Sequence, residues 1–412
     1  MTDQFYTDQR VLDRLHGGPL GPYIDAFTAW LSEQGYAKFT ITYGLRLVGA
    51  LSCWMQLRGL SVRDLDDKTT ADFLRDRRSK RRIHLADISK VSLLLKHLRQ
   101  SHVISVPAAE VDNSELGSIV RSFADYLSQE RRLSEASLQN YVPVVRQFLE
   151  ERFGTRPIMF KEIQQIDISR FVLRYANRFN RARAKIMVSA LRSFLRFLRL
   201  HGYISTDLAS AVPTVANWQR ATLPNWIPPE DVEHLLNSCD QSTSTGQRDY
   251  TILLLLARLG LRSGEVVNMT LDDIDWEAGE IRVGGKGRRH DRLPLPKDVG
   301  EALTKYLCQG RPRCSTRRVF VRTRAPLRGL MGRGAIYSVV QRAFDRAELH
   351  PSHKGPHTLR HSLATNMLRK GASLSEIGEI LRHRDLATTQ IYAKVDLVTL
   401  SKIAQPWPGG EQ

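Results

Sequence analysis

Apolar residues recur at helical spacing through the first part of the chain. In the stretch YIDAFTAWLSEQGY, the residues Phe27, Trp30 and Leu31 lie on one side of a helix, and Gly35 follows as a stop signal. A further segment with the same apolar period comes next. The pattern predicts a helical N-terminal domain over residues 1–105.

A second stretch with the same arrangement opens the next part of the chain. In IVRSFADYLSQERRLS, the residues Phe123, Tyr126 and Leu127 stand 96 positions after their counterparts in the first stretch. The match favours duplication of one small helical domain, with the second copy over residues 111–213. Two unrelated amphipathic helices are the alternative, because such helices share their period and look alike.

A proline-rich segment separates these helical parts from the rest. VPTVANWQRATLPNWIPP breaks the helical period and predicts a linker over residues 214–227. Beyond it, residues 228–404 combine helices such as YTILLLLARLG with GEIRVGGKGRRHDRLPLP, a strand on either side of a Gly-rich turn. Residues 405–412 predict a loose tail. The expected fold is mainly α with a small β-sheet.

Composition restricts the compartment. The longest strongly apolar run, Ile252–Ala257, is far short of a bilayer span, and the N-terminus lacks the apolar core of a signal peptide. Four scattered cysteines without a CxxC pair are typical of a reducing compartment. We therefore expect a cytoplasmic protein, associated with the bacterial nucleoid, that has no membrane partner.

The charge points to a polyanionic partner. The chain has 61 Lys and Arg against 43 Asp and Glu, a net charge of +18. One run, NRFNRARAKIMVSALRSFLRFLRLHGY, interleaves basic and apolar residues, so that a helix can bury one side and hold the other against phosphates. Its DNA-binding candidates are Arg181, Arg183, Lys185, Arg192 and Arg196. An ordinary solvated helix face is the alternative for this run.

The stretch PHTLRHSLATNML carries the most informative chemistry. Pro356 suits the first position of a helix, and the helical period then places His357, Arg360 and His361 on one face. Cationic side chains near a helix N-terminus are typical of a phosphate site. Zinc is a rival, since His353, His357 and His361 are spaced by four. Gly355 and Pro356, however, interrupt any helix between His353 and His357, and no glutamate lies within a histidine pair as in HExxH, so we expect no metal.

Weaker signals lie elsewhere in the same part of the chain. Arg262 and Glu265 follow an apolar helix, and Lys286 lies in the Gly-rich turn. His383 precedes Tyr392 by nine residues. Each is ambiguous alone, and a tyrosine in the apolar setting QIYAKV is usually a core residue.

In order, these residues resemble the tyrosine recombinase (phage integrase) family. The matching stretches are GLRSGEVVNMTLDDID, GGKGRRHDRLPLP, PHTLRHSLATNMLRKGASLSEIGEILRH and LATTQIYAKV, and they cover most of residues 225–400. The resemblance implies helical core-binding (SAM-like) domains before a mixed α/β catalytic domain. The first helical block is additional to the family's two-domain plan.

The resemblance also implies a mechanism. Tyr392 attacks the scissile phosphate and forms a 3′-phosphotyrosine, without metal or other cofactor. Arg262 and Arg360 stabilise the charge on the phosphate, and Lys286 protonates the leaving 5′-oxygen. His357 acts in proton transfer at the tyrosine, and His383 donates a hydrogen bond to phosphate.

Three further positions carry less specific expectations. Glu265 either holds Arg262 or is a charge on the helix surface. Arg382 stands where the family commonly has glycine before His383, which could tilt the turn or add a DNA contact. Arg288, in the hairpin turn, is a further DNA-binding candidate.

The expected partners are a double-stranded DNA recombination site and further protomers. Strand exchange between two duplexes implies a dimer to a tetramer on DNA, with partner recombinases as an option, and we expect a mobile-element integrase. A type IB topoisomerase-like enzyme would share the chemistry and relax supercoils as a monomer. A non-catalytic DNA-binding or architectural protein derived from a recombinase is the alternative outside enzymes.

Overall fold

A computed structural model describes residues 2–80, 85–107, 112–214, 224–284, 290–383 and 386–395. The Gly-rich turn with Lys286 and Arg288, most of the expected linker and the expected tail lie outside the described residues. Residues 107–222 form one compact unit, and the chain on either side of them forms a second. Within the described residues, no helix has both the length and the apolar character needed to cross a membrane.

The N-terminal part is helical, as its apolar period predicts. Its helices are α1 (Gln9–His16), α2 (Ile24–Glu33), α3 (Lys38–Leu57), α4 (Asp67–Lys80) and α5 (Leu85–Gln100). The apolar faces of these helices meet in one core, in which Phe27 and Leu31 from α2 and Leu51 from α3 are buried. This core buries the face that the sequence pattern singled out.

The unit of residues 107–222 is helical as well. Its helices are α6 (Glu115–Asp125), α7 (Glu135–Phe153), α8 (Gln165–Arg178) and α9 (Arg181–Leu200). Phe123 and Leu127, the counterparts of Phe27 and Leu31, are buried in its core beside Phe194. The two parts thus bury matching positions, while their origin by duplication stays a prediction.

The remaining part combines helices with a sheet. Its helices are α10 (Pro229–Asn237), α11 (Ser244–Arg258), α12 (Ser263–Asn268), α13 (Lys297–Lys305), α14 (Gly332–Arg346), α15 (Pro356–Arg369), α16 (Leu374–Ile380) and α17 (Leu386–Thr389). Helix α11 lies inside the core, because its run Ile252–Leu256 is buried on every side. The mainly helical fold is confirmed.

The expected hairpin forms the small sheet. Strands β1 (Ile274–Asp275), β2 (Glu280–Gly284) and β3 (His290–Pro294) pair antiparallel in the order β1-β2-β3. Ile281 stands opposite Ile274 on one side and Leu293 on the other. This register turns apolar residues of all three strands toward the same face, and Ile281 is fully buried there.

The end of the expected linker packs on helix α15. The Ile227 N–H donates to Ser362 Oγ at 2.9 Å, and the Arg369 guanidinium lies 4.0 Å from the centre of the Trp226 ring. Ile227 is 5% exposed and belongs to the core around α11. Trp226 and Ile227, the last two residues of the expected linker, are therefore packed against this domain.

Candidate active site

Two arginines from distant parts of the sequence converge on the turn after α16. Arg262, directly before α12, donates from Nη2 to the carbonyl of Arg382 at 2.9 Å and to that of Leu381 at 3.5 Å. Arg360, on α15, donates from Nη2 to the same Leu381 carbonyl and from Nη1 to the carbonyl of Gly260. The two guanidinium groups meet at one oxygen atom.

The electrostatics of this pair favour an anion. The Arg262 side chain is 39% exposed, whereas Arg360 is 3% exposed. Burial lowers the pKa of Arg360 to about 10, and the positive charges of Arg262 and Arg382 act in the same direction. A phosphate bound here would relieve the repulsion between these cations.

Glu265 connects the arginines. Its Oε1 accepts from Arg262 Nη1 at 2.7 Å, and its Oε2 accepts the Arg262 backbone N–H at 2.7 Å and Arg382 Nη2 at 2.8 Å. Burial acts to raise the pKa of Glu265, but the Arg262 N–H and the Arg382 charge outweigh it and hold that pKa below its ordinary value. With its side chain 8% exposed, Glu265 is a buried partner of Arg262 and not a surface charge.

Tyr392 lies in a short 3₁₀ turn, Gln390–Val395, after α17. It is 1% exposed and packs with Ala364, Ile377 and Leu381. Burial raises the pKa of its phenol to about 12, although the Arg360 charge acts to lower it. The nucleophile predicted from the sequence is thus also a core residue in the DNA-free chain.

The phenol is hydrogen-bonded to His361, not to His357. The distance between Tyr392 Oη and His361 Nδ1 is 2.8 Å. Burial lowers the pKa of His361 to about 4, with the charges of His357 and Arg360 adding to the effect. His361 is therefore neutral at pH 7, and its Nδ1 can accept the phenol O–H.

His361 lies on the helix face that the helical period predicts, although the sequence indicated no role for it. Proton transfer was expected of His357, which is exposed and whose ring centre lies 6.4 Å from that of His361. The spacing of four between the two histidines was the available signal. Which of them meets the tyrosine depends on the packing of the 3₁₀ turn against α15.

His383 also lies beside the tyrosine ring. The His383 and Tyr392 rings are nearly parallel, with centres 6.5 Å apart and planes at 2°. His383 Nδ1 is 2.7 Å from Thr389 Oγ1. Burial, together with the charges of Arg360 and Arg262, lowers the pKa of His383 to about 4.

Arg382 does not face solvent as a DNA-contacting residue would. Its side chain is 7% exposed, and besides Glu265 it approaches Asp291 on β3, with Nε 4.0 Å from Oδ2. The guanidinium points into the site in the DNA-free chain, and the expected DNA contact of Arg382 stays a prediction. Lys286 and Arg288 lie outside the described residues, so their positions stay predictions.

The basic candidates on α9 are not equivalent. Arg183 is exposed and lies 4.8 Å from the centre of the Phe179 ring, and Arg196 is exposed. Arg192 instead donates to the Val212 carbonyl and to Thr214 Oγ1, both at 2.9 Å. Arg192 therefore holds the segment after α9 in place. The alternation of basic and apolar residues in the sequence did not indicate this role.

The two remaining DNA-binding candidates on α9 are less informative about the phosphate-facing surface. Lys185 is half-buried, and the side chain of Arg181 lies outside the described residues. The exposed arginines of α9 are accordingly the ones that can meet a phosphate without rearrangement.

Two family models match the chain. The phage integrase family model covers residues 225–397, and the model of the phage integrase N-terminal SAM-like domain covers residues 120–202. The first model spans the three arginines of the site (Arg262, Arg360 and Arg382) together with His361, His383 and Tyr392. The second model spans α7 to α9.

Curated relatives match over most of their length. The "Putative integrase/recombinase y4rA" of Sinorhizobium fredii is 44% identical over 403 residues, which cover 97% of this chain and 98% of that protein. The tyrosine recombinase XerD of Listeria monocytogenes is 32% identical over 294 residues, 70% of this chain and 97% of that protein.

Solved structures share the fold. The XerH site-specific recombinase bound to its difH substrate matches with a TM-score of 0.55 at 20% identity, over 74% of this chain and 92% of that one. The Tn1549 transposon integrase in complex with a circular intermediate DNA matches with a TM-score of 0.52 at 15% identity, over 69% and 99%.

Proposed function

The chain belongs to the phage integrase family of tyrosine recombinases, enzymes that break and rejoin DNA, and from this premise we propose that it is a site-specific integrase of a mobile element that cleaves through Tyr392. The observation that carries the proposal is the meeting of Arg262 and Arg360 at the Leu381 carbonyl, beside Tyr392. Two guanidinium groups in that arrangement suit the non-bridging oxygens of one phosphate.

The reaction conserves the phosphodiester bond energy. The phenol oxygen of Tyr392 attacks phosphorus and loses its proton to an imidazole, while the bond from phosphorus to the 5′-oxygen breaks. The 5′-oxygen takes a proton, for which Lys286 is the proposed donor. A 5′-hydroxyl from the other DNA strand then attacks the 3′-phosphotyrosine and restores the phenol. The cycle requires no external energy source.

The tyrosine must move before it can react. A phenol that is 1% exposed and hydrogen-bonded to His361 cannot contact a phosphate from solution. The phosphate also changes the proton balance, because a negative charge beside His361 raises the pKa of that imidazole. We propose that His361 holds the phenol before cleavage and competes with His357 as the proton acceptor during it.

The proposed biological role rests on the relatives. The relative that matches 97% of this chain has integrase in its name, and a transposon integrase bound to DNA shares the fold. Strand exchange between two duplexes requires more than one protomer, so we propose assembly as a dimer or tetramer on double-stranded DNA. The N-terminal helical domain would extend the DNA footprint.

The test is covalent capture on DNA. Binding sites are recovered by selection of bound fragments and built into nicked suicide substrates, from which the cleaved end diffuses away. We expect wild-type protein to give a 3′-linked adduct on a denaturing gel, and Tyr392→Phe to give none. Arg262→Ala, which removes a partly exposed donor, should slow adduct formation about 10²–10³-fold.

Tyr250→Phe is the matched control, since it removes a hydroxyl from a half-buried tyrosine in the same domain. It should form adduct at the wild-type rate. An adduct that persists in Tyr392→Phe means that another residue is the nucleophile. Tight binding without any wild-type adduct would favour the non-catalytic DNA-binding alternative.

A further inference from the structure

Arg382 has a backbone conformation that seldom accommodates a side chain. Its φ is +54°, in the left-handed region that glycine adopts without cost. The residue lies between the end of α16 and His383, at the turn on which both site arginines converge. A non-glycine residue held in such a conformation at a functional site suggests that its side chain is used.

The side chain and the main chain of Arg382 both contact the Arg262–Glu265 pair. Its Nη2 donates to Glu265 Oε2 at 2.8 Å, and its carbonyl accepts from Arg262 Nη2 at 2.9 Å. The left-handed turn therefore brings a carbonyl and a guanidinium of one residue to the same two partners. With the Arg382 side chain 7% and that of Glu265 8% exposed, water screens this ion pair little.

We propose that Arg382 is a positioning residue of the strand-cleavage reaction, which fixes the phosphate-binding arginine Arg262 through Glu265. This inference rests on the proposed function, because it concerns the same phosphate site. The guanidinium groups of Arg262 and Arg382 donate to different oxygens of Glu265, so the carboxylate is held from two directions. Arg262 then has one available orientation, with part of its guanidinium open to solvent for phosphate.

The charge of Arg382 also acts on the protonation of Glu265. It is one of the influences that hold the pKa of Glu265 below its ordinary value against the effect of burial. Without Arg382, that pKa rises, and Glu265 becomes protonated at a higher pH. A protonated Glu265 has lost the charge that attracts Arg262. Arg262 is then no longer held in place at low pH.

The experiment replaces Arg382 without disturbing the backbone. Arg382→Gly keeps the left-handed turn and removes the guanidinium, and Arg382→Lys keeps a positive charge with fewer donors. Glu348→Gly is the matched control, since Glu348 is exposed in the same domain and also has a left-handed φ, of +54°. Adduct formation is followed in single turnovers on the suicide substrate at saturating DNA.

We expect Arg382→Gly to form adduct about 10-fold more slowly, the lower end of the range for the loss of a hydrogen-bonding partner behind a metal ligand. Its Kd for DNA and the salt dependence of that Kd should match wild type. The acid limb of its rate-against-pH profile should move to higher pH. Arg382→Lys should restore part of the rate, and Glu348→Gly should match wild type throughout.

Two results would overturn the proposal. A weaker Kd with a salt slope smaller by about one would make Arg382 a DNA contact. In the second result, Arg382→Gly is slower but its pH profile does not shift, and Glu265→Gln cleaves at the wild-type rate. Arg382 would then have a purely structural role. Positioning through Glu265 instead requires that the Arg382→Gly, Glu265→Gln double variant is no slower than the slower single variant.

Failure of the proposed function is recognised separately. If wild-type protein forms no adduct, the proposed reaction fails for every variant alike. The coupling of Arg382 and Glu265 is then measured without DNA, from the urea midpoints of the two single variants and the double variant. Additive midpoint shifts would refute the ion pair on which the positioning role depends.

Discussion

Gly260 is the residue at which the site depends most directly on backbone conformation. Its φ is +58°, and its carbonyl accepts a hydrogen bond from Arg360. A Cβ atom added there would lie 2.7 Å from Leu381 Cδ2, which would have to shift, and 3.1 Å from Leu363 Cδ2, a tight contact. The site therefore requires glycine for two reasons, conformation and space.

We predict that Gly260→Ala lowers the free energy of unfolding by about 1–3 kcal/mol and also slows adduct formation. The strain falls on the carbonyl that holds Arg360, so stability and activity should change together. Urea unfolding and single-turnover cleavage measure the two effects.

Gly279→Ala separates conformation from space. Gly279 has a φ of +63°, and a Cβ atom there would meet nothing within 4 Å. This variant should lose only the conformational part of the stability, roughly 1 kcal/mol, and keep its cleavage rate. Equal losses in both variants would show that the contact with Leu381 is unimportant.

At the scale of the element, helix α15 was the most predictable part of the site. Gly355 precedes it and Pro356 occupies its first position, as the sequence indicated. The segment before it was less predictable, because Trp226 and Ile227 follow prolines and still pack on α15. Proline residues indicate only the local backbone conformation. Whether a large apolar side chain is buried depends on residues that are distant in the sequence.

The packing of the 3₁₀ turn on α15 makes stability depend on pH. His361 and His383 both have a pKa of about 4 in the folded chain, against 6.5 for an ordinary histidine. Between these values the unfolded chain binds more protons than the folded chain, so stability is full above pH 6.5 and falls toward pH 4.

The expected slope is at most about 1.4 kcal/mol per pH unit for each histidine. Urea unfolding of DNA-free protein between pH 7 and pH 5 measures it, and His361→Gln should flatten the slope. A slope that is the same in this variant and in wild type would contradict the burial of a neutral His361.

At the scale of the whole molecule, the net charge of +18 governs affinity for DNA. A protein that makes about 6–10 phosphate contacts loses roughly 10³–10⁵ in affinity between about 50 and 200 mM salt. We predict a dependence of this size, measured as Kd on a selected site against salt concentration.

Two arginines of α9 provide the internal comparison for that measurement. Arg196→Ala, at an exposed position, should reduce the salt slope by about one. Arg192→Ala should leave the slope unchanged, because this guanidinium is bonded to the Val212 carbonyl and Thr214. A smaller salt slope in Arg192→Ala, with an unchanged slope in Arg196→Ala, would mean that the Arg192 hydrogen bonds break when DNA binds.

The sequence alone determined the order of the reactive residues, the helices that carry them and the class of reaction. The helices and the charge follow from local rules, since spacing decides which side chains share a helix face and composition decides the sign of the charge. Arg262, Arg360, His383 and Tyr392 were instead named from the ordered resemblance to the tyrosine recombinase family, and the described residues place all four in one region.

Only the tertiary structure decided which imidazole meets the phenol, where the Arg382 side chain points and how deeply Tyr392 is buried. His361 and Tyr392 are 31 positions apart, and Arg382 and Glu265 are 117 apart. No local pattern encodes contacts of that range, because they depend on how α12, α15 and the turns after α16 pack together. The residue types of the site can be named from the sequence, whereas their geometry depends on the tertiary packing.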